Sequence, residues 1–303
     1  MSLPDLNKDV FMPAFLDKAL RQLGRRFGRQ PASAATLIER YQTKNQQLAA
    51  RIALLPDRER LASIREQAPV VSRLLRDLAP LIGPQSNGLA LQDQIVQEFE
   101  RLGWQPMLVG YKGYPAAVPI SIGKAVLSGF PTANPLPDNA LVTIELIAAS
   151  STAYLAQSWT FAGAKADAKQ LALLEAGRQA LKAGVACIRP GERVDAIGEA
   201  IAEVLDAHDL QPVIEYSGHG MGKDRMQSPL IFCYRNNYSK NERLQVGQIL
   251  NVLVPAKPGA RGIRFDTRNL QEVSTQDGKE AVVFSAMVEV TQEGHRLLSE
   301  WVD

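Results

Sequence analysis

The residues best suited to chemistry in this chain are a histidine set among glycines and a carboxylate set in an apolar run. The first lies in Glu215-Tyr216-Ser217-Gly218-His219-Gly220-Met221-Gly222 and the second in Thr143-Ile144-Glu145-Leu146. A carboxylate and an imidazole in one concavity can pass a proton at neutral pH, and both are ligands of divalent metals. Glycines beside the histidine let the backbone turn tightly and approach a ligand closely. Plainer roles stand beside these. His219 can hold the glycine turn by a backbone hydrogen bond, and Glu145 can be a buried carboxylate paired with a neighbour. In a strand, Glu145 points opposite to Ile144 and Leu146.

Arginine-rich segments form a second group of candidates. In Arg261-Gly262-Ile263-Arg264-Phe265-Asp266-Thr267-Arg268, strand alternation puts Arg264, Asp266 and Arg268 on one side. That is either a solvated hairpin with an internal ion pair or a guanidinium fork for a carboxylate or phosphate. Lys223-Asp224-Arg225 adds to such a set or forms an exposed loop. Basic residues cluster at Arg21, Arg25, Arg26 and Arg29, of which Arg21, Arg25 and Arg29 share one face of a helix, which reads as a solvated face or a contact for an acidic or nucleic-acid partner.

The elements that must position these groups belong to an ordinary globular chain of 303 residues, with 46% hydrophobic and 22% charged residues. A net charge of +2 is too near neutral to suggest nucleic acid or an anionic membrane as partner. Cys187 and Cys233 lack metal-type or redox-type spacing, so no disulfide framework is expected and a reducing cytosol is the default. Met1-Ser2-Leu3-Pro4-Asp5 does not begin a signal peptide, and no run approaches the ~18 apolar residues of a membrane span. A cytoplasmic protein is the expectation.

Residues 8 to about 62 read as a charged helical extension. Phe15, Leu16, Leu20 and Leu23 recur at helical spacing, Pro31 interrupts, and Ser33 caps a second helix carrying Leu37, Ile38, Tyr41, Leu48 and Ile52. From residue 63 one plan is stated twice. The first copy has a helix ending near Ile82, a loop, a helix from Leu91 to Leu102, a strand from Gln105 to Val109 and a glycine turn at Tyr111-Lys112-Gly113-Tyr114-Pro115. The second has a helix from Lys169 to Cys187, a loop, a helix from Val194 to Ala207, the segment Gln211-Pro212-Val213-Ile214 and the glycine turn at His219. Gln105-Pro106 and Gln211-Pro212 mark the same point 106 residues apart, which implies two pseudo-symmetric halves rather than a solenoid. Strands are expected at Val118–Ile122, Ala140–Ile147, Thr160–Ala162, Ile249–Val254 and Val282–Val290, with Pro119 at an edge or first position. Helix pairs over a mixed, largely antiparallel sheet give an α+β architecture.

Several of these segments, in the same order, resemble the methionine aminopeptidase family, the M24 or pita-bread proteins, over roughly residues 63 to 298. They are Tyr111 to Pro115, Ile120-Ser121-Ile122, Leu127-Ser128-Gly129-Phe130-Pro131, Leu136 to Leu146, Phe161-Ala162-Gly163, Gly218 to Gly222 with Pro229, and Val288-Glu289-Val290-Thr291. The resemblance implies a pita-bread domain over 63–303 with a helical extension over 1–62. It also implies a site in which two aspartates, a histidine and two glutamates hold two divalent metals. Here those positions are occupied by Glu145, Ala156, His219, Leu253 or Val254 before Pro255, and Ser285. Both bridging carboxylates are replaced, and two further family histidines become Ser128 and Met226; His208 and His295 lie elsewhere, in terminal turns.

The expected pocket is therefore lined by Tyr111, Tyr114, Ser128, Ala156, Met226, Val254 and Ser285, with His219 and Glu145 as the candidate acid and base and no metal or other cofactor. One function class is a pseudo-peptidase that binds a small molecule, peptide or protein. The other is a metal-independent enzyme on a small polar substrate using His219 and Glu145, for which the resemblance supplies a precedent in the metal-free pita-bread enzyme creatinase.

Overall fold

Local signals in the sequence start and stop the helices of this structure, a computed structural model that describes residues 32–236, 242–265 and 272–302. Expectations for the stretch before residue 32, including the arginine cluster, and for Asp266, Thr267 and Arg268 lie outside the described residues. Helix α1 (Ala32–Leu54) is already under way at Ala32, so Ser33 lies inside its first turn rather than capping it. Helix α2 (Asp57–Leu78) follows Pro56 and passes unbroken through residues 62 and 63. In α3 (Gly88–Leu102) the Asn87 side chain accepts from the Ala90 N–H and Gly103 closes the end in the left-handed conformation at φ 71°. Asp167 and Gln170 form a capping box on α4 (Ala168–Ala186), which packs against α5 (Val194–Ala207).

Two long strands organise the rest. In the first half, β4 (Leu141–Ala149) pairs with β1 (Gln105–Pro106), β2 (Ile120–Ile122) and β5 (Tyr154–Ala162). In the second, β9 (Ile249–Pro258) pairs with β6 (Leu210–Pro212), β7 (Gly218–Met221) and β12 (Val282–Thr291). Pro106 faces Ala148 as Pro212 faces Ala256, so the repeat of Gln-Pro becomes a repeat of strand register. β8 (Gln227–Ile231) and β13 (Gly294–Leu297) extend the second sheet, while β3 (Ala125–Leu127), β10 (Ile263–Phe265) and β11 (Val273–Thr275) form a small third sheet. The α+β architecture of two pseudo-symmetric halves stands as expected.

Several details differ from expectation. Every strand pair among the described residues is antiparallel, so the sheets are not mixed. β1 stops after Pro106, although the Met107 N–H still donates to the Ile147 carbonyl. β5 starts at Tyr154, six residues before the strand the sequence announces. The glycine turn at His219 is a strand, β7, held between β8 and β9. A Cβ on Gly218 would collide with the Asn251 carbonyl oxygen and one on Gly220 with that of Ser228. These glycines therefore serve close strand approach, not a turn.

The seam between the halves is made by side chains. The Ser158 N–H donates to Ser285 Oγ at 2.8 Å, and the Ala156 N–H to Met287 Sδ at 3.4 Å. Thr160 Oγ1 accepts from the Val283 N–H at 2.8 Å and donates to the Val283 carbonyl at 3.0 Å. One face of the sheets meets the helices. Trp159 packs edge-on to Phe284 with ring centroids 4.9 Å apart, Arg178 of α4 lies over the indole, and Ser72 of α2 donates to Gln157 at 2.6 Å. α1 buries Tyr41 and Ile52, and Asn45 donates to the Pro106 carbonyl at 2.8 Å. No helix among the described residues is long and apolar enough to cross a membrane.

Candidate functional site

The register of the long strands decides which residues share the face turned away from the helices, because directly opposed residues point the same way. Glu145 lies opposite Ser158 and Ile147 opposite Ala156, while Trp159 and its partner Ile144 occupy the other face. In the second half Ser285 lies opposite Leu253, Met287 opposite Asn251, and Asn251 opposite His219. Glu145, Ala156, Ser158, His219, Asn251, Leu253 and Ser285 therefore belong to the sheet face turned away from the helices. Val254 does not: it pairs with Phe284 and is wholly buried in the main core on the helix side. Of the two residues expected at that position, Leu253 is the one opposite Ser285, and the expectation of a pocket role for Val254 is corrected.

Glu145 sits 5% exposed, and one oxygen accepts the Ser128 N–H at 2.8 Å. Ser128 adopts the left-handed conformation at φ 55°, a strained geometry for a residue other than glycine. Burial pushes the Glu145 carboxyl up to about 7, and the Ser128 N–H offsets part of that rise. Nearby, Tyr216 is kept protonated, burial raising its hydroxyl pKa and the Glu145 charge adding to the rise. Tyr114 is an element of the core rather than a free wall. Its hydroxyl donates to the Gly129 carbonyl at 2.7 Å, its ring packs tilted against Phe130 with centroids 5.3 Å apart, and burial raises its pKa.

His219 is 8% exposed, with Nδ1 placed 2.9 Å from the Gly220 carbonyl oxygen. If Nδ1 carries the proton, Nε2 is the acceptor. Burial drives its pKa down to about 4; the Gly220 hydrogen bond opposes the fall and the Arg225 charge adds to it. Burial thus moves the two groups in opposite directions, leaving His219 uncharged at neutral pH and bringing the titration of Glu145 there. No interaction between them figures among those that shift either group.

Arg225 belongs to the connection between β7 and β8, where Met226 is also half-buried. Its guanidinium carbon stands 4.5 Å from the centre of the Tyr111 ring, and its charge acts on Tyr154 and His219. Sequence reasoning named Lys223-Asp224-Arg225 as a charge set but did not place it in the pocket. It missed Tyr154 and Asn251 altogether. The only trace of Asn251 is its place two residues before Leu253, on the same strand face. Of the hairpin arginines, Arg261 binds the Gln211 side chain at 2.8 Å and Arg264 is exposed. His208 caps α5 and His295 lies 3.0 Å from the Ile188 carbonyl. Among the described residues, no group of three or more His, Cys, Asp or Glu is gathered as a metal would require.

The model of metallopeptidase family M24 matches residues 62–292. The methionine aminopeptidase 1 of Bacillus subtilis is 28% identical over 240 residues, 79% of this chain and 96% of that protein. Methionine aminopeptidase 1 of Mycobacterium tuberculosis is 30% identical over 76% of this chain and 88% of its own length. The crystal structure of methionine aminopeptidase from Rickettsia prowazekii superposes with a TM-score of 0.75 at 23% identity, covering 78% of this chain and 95% of that one. Prolidase from Pyrococcus furiosus shares the fold at a TM-score of 0.61 and 15% identity, over 80% of this chain and 64% of its own.

Proposed function

This chain belongs to metallopeptidase family M24, and on that premise we propose that it is a pseudo-peptidase: a pita-bread module that holds no metal pair and binds a small-molecule, peptide or protein ligand on its concave face. The observation that carries the reading is what the candidate ligand positions do instead. Ala156 and Leu253 have no donor atom, Ser285 accepts the Ser158 N–H across the seam, and one Glu145 oxygen accepts the Ser128 N–H. That donor set does not fit two divalent ions, which need bridging carboxylates and about three or four protein ligands apiece. Cytoplasmic residence and the absence of a nucleic-acid or membrane partner belong to the same reading.

Elemental analysis of protein grown with cobalt, manganese or zinc tests it, alongside release of methionine from short peptides. Substoichiometric metal and no turnover are expected. In relatives named methionine aminopeptidases, a metal-activated water supplies a nucleophile of the kind that hydrolyses a peptide bond, and a lone general base does not replace it. About two equivalents of metal per chain, lost on substituting Glu145 or His219, would overturn the proposal.

One observation favours a second reading, a metal-independent enzyme on a small polar substrate. A carboxyl titrating at about 7 is poised to accept and return a proton at neutral pH. In that case Glu145→Gln and His219→Gln should each remove a turnover found in a metabolite screen, typically by ~10²–10⁴-fold. The binding reading expects ligand affinity in that screen and no turnover to lose.

A further inference from the structure

A cation, Arg225, stands on this face with no carboxylate paired to it among the described residues. Arg225 is half-buried, with its guanidinium carbon 4.5 Å from the centre of the Tyr111 ring. It also hydrogen-bonds the Tyr111 side chain and acts on Tyr154, and no carboxylate figures among the described groups that act on it. Asp224, its neighbour in the chain, acts on Tyr154 but makes no ion pair with the guanidinium. An immobilised fork of N–H donors matches a carboxylate in the plane of the guanidinium.

A second unmet group lies on the same surface. Asn251 is 7% exposed, and its Oδ1 is buried with no hydrogen-bond partner among the described residues. It sits directly opposite His219 in the β7–β9 pairing, and His219 is the imidazole on which the Arg225 charge acts. A buried acceptor left without a donor is unfavourable, and a bound N–H would satisfy it. We propose that this surface binds a free α-amino acid or a closely similar small molecule, with its carboxylate on Arg225 and its N–H on Asn251 Oδ1. The proposal rests on the binding reading given above and names the ligand class for it.

Titration calorimetry and melting curves on the full chain in chelator-treated buffer test it. The probes are a panel of free α-amino acids, the corresponding amides, the corresponding 2-hydroxy acids, and inorganic phosphate. At least one amino acid should bind, its amide about 10-fold or more weakly for loss of the ion pair, and its hydroxy acid more weakly as well. Arg225→Gln should erase the preference for acid over amide, and Asn251→Leu the preference for amino over hydroxy acid. Melting curves without ligand show that each variant folds, and the comparison of acid with amide in the unmodified chain needs no variant.

No binding by any amino acid up to about 10 mM, equal binding of acid and amide, or tighter binding of phosphate would each overturn the inference. Metal content and peptide cleavage are measured on the same protein. Stoichiometric metal with cleavage would remove the functional reading itself, whereas its absence together with no amino-acid binding would remove only this inference.

Discussion

The two halves share a frame and differ in what they bury. Each has a long central strand flanked by a short Gln-Pro strand and by the strand at the seam. The first half buries a carboxylate, Glu145, tied to the N–H of a strained serine; the second buries an imidazole, His219, tied to a carbonyl in its own strand. Burial penalises the charged form of both, so it raises one pKa and lowers the other. The comparison teaches that one cause, burial, moves an acid and a base in opposite directions on the two sides of the seam.

Close backbone approach is where a change should break the comparison most severely. Each half sets a glycine against a neighbouring carbonyl beside its titratable residue. A Cβ on Gly129 would collide with the Ile120 carbonyl oxygen, and one on Gly220 with that of Ser228. Gly129→Ala and Gly220→Ala should each destabilise the chain by about 3–5 kcal/mol, read from urea unfolding. A loss confined to one variant would show that only one half depends on its strand spacing.

The next effect sharpens the comparison through pH. With a folded pKa near 7 against an ordinary 4.5, Glu145 keeps in the native state a proton that the unfolded chain has released. Stability from this group is full below pH 4.5 and falls as pH rises through 7. His219, near 4 against 6.5, does the reverse: its contribution is full above pH 6.5 and is lost as pH falls through 4. Each shift is worth about 3 kcal/mol, and between about pH 4.5 and 6.5 the two slopes oppose and largely cancel. Glu145→Gln should therefore make stability rise with pH over that window, and His219→Gln should make it fall. Parallel slopes in the two variants would contradict the opposed protonation of the halves.

The fold was largely legible because its helices and apolar strands carry strong periodicity, and the Gln-Pro repeat announced the duplicated register. What was not legible has physical causes. β5 was recognised only at Thr160–Ala162 because Leu155-Ala156-Gln157-Ser158 mixes small and polar residues on a strand buried on both faces. β7 reads as a turn because its glycines answer a crowding that only the folded sheet creates. The same holds for the site. Glu145, Ala156, His219 and Ser285 followed from segment order, but the approach of Arg225 to Tyr111 spans more than a hundred residues and leaves no local pattern.

The seam where the halves meet should respond more mildly. Ser285→Ala leaves the buried Ser158 N–H without its acceptor, at a cost of about 1–2 kcal/mol. Thr160 still clasps Val283 twice, so the strands should stay joined and the loss should not grow into unfolding of one half. Hydrogen exchange checks this: protection should fall locally around Ser158 and remain in β9. Selective opening of the second half would mean that the seam, not each sheet, sets the cooperativity.

The smallest effects should come from α1, which leans on the first half and has no counterpart on the second among the described residues. Two of its polar contacts differ in burial, and the difference sets their order. Arg40 meets Glu100 at 2.8 Å with both side chains about half exposed, so water and salt screen the pair and Arg40→Gln should cost less than about 1 kcal/mol. Asn45 is 9% exposed and donates to the Pro106 carbonyl at the start of the first sheet. Removing it strands that carbonyl in a buried setting, so Asn45→Ala should cost about 1–2 kcal/mol and persist at high salt. Urea titrations of both variants at low and high ionic strength separate the two. If Arg40→Gln proves the costlier change and its cost survives salt, the helix is held by charge at its surface rather than by its buried contact with the first half.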